Sequence, residues 1–137
     1  MSKDPLLFLI AFCVALILHL LIVLMIYHPG TMISMPVTAG MIFSWLYTSR
    51  VIKDLNHEKK VTWQNIKIVL PFWLKYALYF FIIYAFINFV IALSLESGHG
   101  WVELQLDHDK LRGISGFWVL FYATGFSAAW IKNKISL

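Results

Sequence analysis

Four stretches of the chain are apolar over the length that crosses a bilayer, and short polar runs separate them. A membrane helix needs roughly 20 mostly apolar residues to cross about 30 Å of hydrocarbon. The first stretch, 5–27, carries one histidine, His19, and no formal charge. His28, Pro29 and Gly30 follow; proline removes a backbone donor and glycine frees the chain, so a helix break is expected there. The second stretch, 31–52, is less apolar and meets its first charge at Arg50. The third is 69–95, with Pro71 near its start as a possible kink, and the fourth is 113–131. The pattern predicts an all-α protein, a single four-span membrane domain covering 1–137.

Inside the second stretch, small or ring-closed residues recur every fourth place: Pro36, Gly40, Ser44 and Thr48. In lipid, helices associate through close packing, and small residues let backbones approach. The fourth stretch has Gly125 and Ala129 at the same spacing, with Gly116, Ala123 and Ala128 nearby. The two stretches are therefore expected to form a tightly packed pair, with a seam rather than a pathway wall along the stripe. Ser34, Thr38, Ser44 and Thr48 supply hydroxyls for the backbone groups that Pro36 disturbs.

Composition supports lipid as the main solvent. The 137 residues are 61% hydrophobic and 13% charged, with mean hydropathy +0.77. A soluble domain is nearer half apolar and a quarter charged, and a small one leaves much of its surface exposed. The first stretch is expected to be a retained helix: its charged lead is short, its apolar run is long, and no small-residue cleavage site follows.

Charge gives an orientation. With the N-terminus inside, inner segments hold Lys3, Arg50, Lys53, Lys59, Lys60, Lys67, Lys132 and Lys134, while outer segments hold only Lys110 and Arg112. Such asymmetry predicts cytoplasmic termini. The net charge of +4 then reflects topology and attraction to anionic lipid, not nucleic-acid binding. The inner run 53–68 mixes Trp63 and Ile66 with lysines and reads as an interfacial lead-in helix, capped by Thr62, or as a docking surface for a partner.

Polar residues at membrane depth are candidate sites because they are costly there. His19 lies about 12 Å, and Asn88 about 10 Å, below the outer ends of their helices at 1.5 Å per residue, so an imidazole–amide bond between them is expected. Haem, quinone or proton binding at His19 is the alternative. Lys75 lies about 9 Å inside the inner boundary, within reach of the headgroups, and is read as snorkelling or as a partner for an acidic group or lipid phosphate. Arg112 stands at the mouth of the fourth stretch, as an anchor or an attractor of anions. No span holds an Asp or Glu. That disfavours the proton-coupled four-helix multidrug transporters, which depend on a membrane carboxylate, and cation channels built on acidic rings.

The outer loop carries His99, Glu103, Asp107, His108 and Asp109. Their spacing matches no firm metal motif, so His99 and His108 are only weak metal candidates. Cys13 is the single cysteine and allows no disulfide. Phosphate-binding, zinc-protease and nucleophile-elbow motifs are missing, so neither a catalytic residue nor a cofactor is assigned. The reading is a small non-enzymatic membrane protein, an accessory, immunity or assembly subunit, with lipids and either another membrane protein or a second copy of itself as partners. A bacterial inner membrane fits the size and charge bias. The alternatives are a homo-oligomeric channel or transporter, and a redox subunit using His19.

Overall fold

The structure is a computed structural model that describes residues 4–27, 29–57, 70–95 and 108–135. Among them the regular elements are four helices: α1 (Asp4–Val23), α2 (Thr31–His57), α3 (Phe72–Leu95) and α4 (His108–Ile135). The expected lead-in helix and its Thr62 cap lie outside the described residues, as do His99, Glu103 and Asp107.

The helix ends depart from the sequence expectations for identifiable reasons. The first helix stops at Val23, before the Pro29–Gly30 break. Met25 takes a left-handed backbone, with φ 56°. Its N–H donates to Ile22 O at 3.0 Å, and Ile26 N–H donates to Leu21 O at 3.0 Å. Those two bonds form a Schellman motif, which satisfies carbonyls that the helix end would otherwise leave bare. Pro71 does not kink the third helix. It precedes α3, and its carbonyl accepts from Leu74 at 3.0 Å and Lys75 at 3.2 Å, so it acts at the N-terminal boundary. The second helix continues past Arg50 to His57, and the fourth begins at His108 rather than 113, taking Arg112 and Ser115 into its first turns.

The last helix is the axis of the molecule. It packs against each of the other three, and 61% of its central window is buried, against 17% for α1 and for α3. Each outer helix offers one seam to it, in alternating steps of three and four. On α1 the seam is Phe8, Phe12, Ala15, His19 and Ile22. On α2 it is Ser34, Val37, Met41, Ser44, Val51 and Leu55, and on α3 Leu74, Phe81, Ala85, Asn88 and Ala92. Such spacing keeps one stripe on a neighbour, as in coiled coils. By contrast α4 is small nearly all round: Gly113, Ser115, Gly116, Ala123, Gly125, Ser127, Ala128 and Ala129 are buried.

Contacts along the axis set the direction of each helix. Thr38 of α2 meets Trp118, and Ser44 meets Phe121, so α2 runs parallel to α4. His19 meets Ser115 while Phe8 lies at Gly125, so α1 runs antiparallel. Ala92 faces Gly113 and Ala85 faces Gly116, so α3 is antiparallel as well. The start of α1 and the end of α4 therefore share one end of the bundle, called the terminal end below.

Pro5–Val23, Phe72–Ser94 and Lys110–Lys134 are each long and apolar enough to cross a membrane. Three of the four expected spans are therefore long and apolar enough. The remaining helix, α2, is long enough but less apolar, because its hydroxyl residues are spent on its seam with α4.

Candidate functional site

The polar side chains inside the bundle gather at two levels. The first lies in the half away from the terminal end and is centred on His19, which is fully buried. Its Nδ1 is 2.8 Å from Ser115 Oγ, and its Nε2 is 2.8 Å from the Tyr84 hydroxyl. Ser115 has one hydroxyl proton and donates it to Arg112 O at 3.0 Å. Its oxygen is then free to accept, which places the imidazole proton on Nδ1. Tyr84 therefore donates to Nε2, and the two rings meet edge to face with centroids 5.3 Å apart. The chain of donors runs from α3 through α1 to α4 and ends on a backbone carbonyl.

Asn88 sits one turn beyond Tyr84 on the same helix. Its Nδ2 donates to Tyr84 O at 2.9 Å, and its Oδ1 accepts from Arg112 Nε at 3.4 Å. The expected bond between His19 and Asn88 is replaced by these separate partners. Both residues belong to one cluster with Arg112, and Tyr84 and Ser115 complete it. Sequence spacing singles out neither Tyr84 nor Ser115 as a partner of His19. The signal for Ser115 was available, since a serine close to His19 in depth is the simplest partner for an imidazole in lipid.

The second level is the α2–α4 seam. Trp118 Nε1 donates to Thr38 Oγ1 at 3.0 Å, the Tyr122 hydroxyl to Val37 O at 2.9 Å, and Ser44 Oγ to Phe121 O at 2.6 Å. Thr38 and Thr48 donate to the carbonyls of Ser34 and Ser44, each at 2.8 Å. Gly40 is required because a Cβ there would collide with the Tyr122 hydroxyl; at Gly125 it would meet Ser44 Oγ and, at 2.8 Å, the Phe8 ring. Of the residues counted by fours, Gly40 and Ser44 lie in the contact, Pro36 is exposed and Thr48 is half-buried. A repeat of four drifts by about 40° per step on a helix of 3.6 residues per turn, so the count walks off the seam. Ala129 is buried in α4.

Lys75 joins neither level. It is half-buried on α3 and lines an apolar cleft of about 300 Å³ between α2 and α3, floored by Thr124, Ser127 and Ala128 of α4. A second cleft, of about 420 Å³, separates α3 from α1 near Phe12, Trp73 and Phe81. Gly113 and Gly116 hold α3 close to α4 at one end, and beside the second cleft the Phe12 and Phe81 rings meet edge to face across α1 and α3, with centroids 5.5 Å apart.

The site can orient and lock helices. Both nitrogens of His19 are engaged, so an axial bond to a metal would require Tyr84 or Ser115 to let go. The long axis of the bundle is filled by α4, which leaves the polar groups bonded to one another across helices. Comparisons with protein-family models, with curated proteins and with solved structures find no match to this chain.

Proposed function

We propose that the chain is a small non-enzymatic integral membrane protein that acts as an accessory, immunity or assembly subunit, through helix contacts with a membrane partner. The observation that carries this reading is the self-satisfied interior: His19, Ser44, Asn88, Ser115, Trp118 and Tyr122 all bond within the chain, across or along its helices. Polar groups committed in this way specify the packing and leave little for substrate chemistry. What faces outward is large and apolar, above all the aromatic face of α3, where Phe72, Trp73, Tyr76 and Phe80 are exposed. Aromatic residues are the commonest anchors of protein interfaces.

In this reading all four helices span the membrane. The run of α2 beside α4 from Thr38 to Leu55 supports its inclusion, since α4 spans and the two are parallel. An even number of crossings returns both termini to one side, and the charge bias makes that side the cytoplasm, in a bacterial inner membrane. The test is gentle extraction from the native membrane at native expression, followed by mass measurement of the intact complex. A second protein at fixed ratio supports the reading. A discrete homo-oligomer of this chain alone contradicts it and favours a channel or transporter.

A further inference from the structure

The cleft between α2 and α3 has an unusual wall. Along α2 and α3 it is hydrocarbon: Val51, Leu55, Leu78 and Ile82. The hydroxyls on it are already spent. Thr48 donates to Ser44 O, Thr124 to Phe121 O at 2.7 Å and Ser127 to Ala123 O at 2.8 Å. Two of the lining residues, Lys75 and Tyr79, end in polar groups that have no hydrogen-bond or ion-pair partner among the described residues. They are four apart on α3 and so lie on one face.

Shape and charge select the occupant. A helix about 10 Å wide does not fit a space of about 300 Å³, whereas a single flexible hydrocarbon chain does. From Lys75 to Ile82 the wall rises about 10 Å, two turns of apolar surface above one cation. The same end of the bundle carries Arg50, Lys53, Lys132 and Lys134, a rim that draws anionic headgroups. We infer that this cleft is a binding site for one anionic phospholipid, with an acyl chain between α2 and α3 and the phosphate on Lys75 and Tyr79. The ammonium supplies the charge, the phenol a hydrogen bond, and the cleft fixes the position of a lipid that would otherwise exchange freely.

Native mass spectrometry of the full-length protein, delipidated in detergent and titrated with dioleoyl phosphatidylglycerol or dioleoyl phosphatidylcholine, tests this. The wild type should retain one phosphatidylglycerol with about fivefold preference over phosphatidylcholine, the worth of one lysine beside an anionic headgroup. Lys75→Gln should bring the two lipids to parity, and Ala128→Phe, which fills the cleft, should remove both. Thr124→Leu serves as a second filling variant if Ala128→Phe does not fold, as judged by circular dichroism. Lys110→Gln, at the opposite end of the bundle, should keep the preference. Equal retention of the two lipids by the wild type overturns the inference. So does a preference that survives Lys75→Gln, or one that Lys110→Gln abolishes equally. A polypeptide held by the wild type and lost on filling the cleft would make it a protein dock and also refute a lipid site. Failure here leaves the partner reading standing, because that reading is tested by a different complex.

Discussion

The contact between Gly40 and Tyr122 offers a double-mutant cycle whose sign follows from geometry. In Gly40→Ala the new methyl occupies the place of the Tyr122 hydroxyl. The ring must swing away and lose its 2.9 Å bond to Val37 O. Overpacking costs about 1–3 kcal/mol, and an interhelical bond in a membrane is worth about 0.6 kcal/mol and up to about 1.7. Alanine returns up to about 1 kcal/mol of helix propensity. The net expectation is a loss of about 1–2 kcal/mol for Gly40→Ala, and about 1 kcal/mol for Tyr122→Phe. In the double variant the hydroxyl is gone, and the nearest ring atom, Cζ, stands 3.1 Å from the methyl. That gap needs only a small shift. The double variant should therefore be no less stable than Tyr122→Phe alone, giving a coupling of about 1–2 kcal/mol in the rescuing direction. Unfolding in mixed micelles by added dodecyl sulfate, followed by tryptophan fluorescence and circular dichroism, reads all four corners. Additive losses, within about 0.5 kcal/mol, would refute the close approach of α2 and α4 at Gly40.

Three further outcomes follow from other contacts. Nitrogen-15 spectra of histidine-labelled protein should show His19 carrying its proton on Nδ1, with Nε2 as acceptor; a proton on Nε2 would reverse the proposed direction of the Tyr84–His19–Ser115 chain. Tyr84→Phe should lower stability by about 1 kcal/mol, since it leaves a buried imidazole nitrogen unpaired, and no change would mean that the bond is not made. Met25→Gly should raise stability by about 1 kcal/mol, because a left-handed backbone strains any residue with a Cβ; a loss on thermal melting would mean that Met25 is held there by contacts worth more than the strain.

Hydropathy and length were enough to read four helices from the sequence, because a chain in lipid must satisfy its backbone within each helix. Their ends were less legible. A Schellman turn built on Met25 carries no glycine to announce it, and the polar start of α4, from His108 to Arg112, lies outside the apolar run that marks the fourth stretch. The seam on α2 was visible as a stripe of small residues, but counting by fours kept Pro36, which is exposed, and passed over Val37, whose contact with Tyr122 depends on the partner helix. The role of α4 as the axis was present in its composition. It is the least apolar of the three qualifying spans and has small residues on every face, and in lipid that combination belongs inside. The His19 cluster was half legible: depth brought His19 and Asn88 to one level, but the choice of Ser115 and Tyr84 as bonding partners depends on helix rotation, which spacing alone does not fix.

The central claim is that α4 forms a dry, packed axis with lipid-facing helices around it. Spin labels at single engineered cysteines, in a background with Cys13 replaced, test it through collision with oxygen, which partitions into lipid, and with a water-soluble paramagnetic reagent. Leu111, Val119 and Ala129, which are buried and line neither cleft, should be shielded from both, while Val14 on α1 and Phe86 on α3 should collide freely with oxygen. Contact of these three positions with the aqueous reagent would reveal a water-filled path, and oxygen contact at them would put the axis of the bundle at the lipid boundary. Either result would contradict the account.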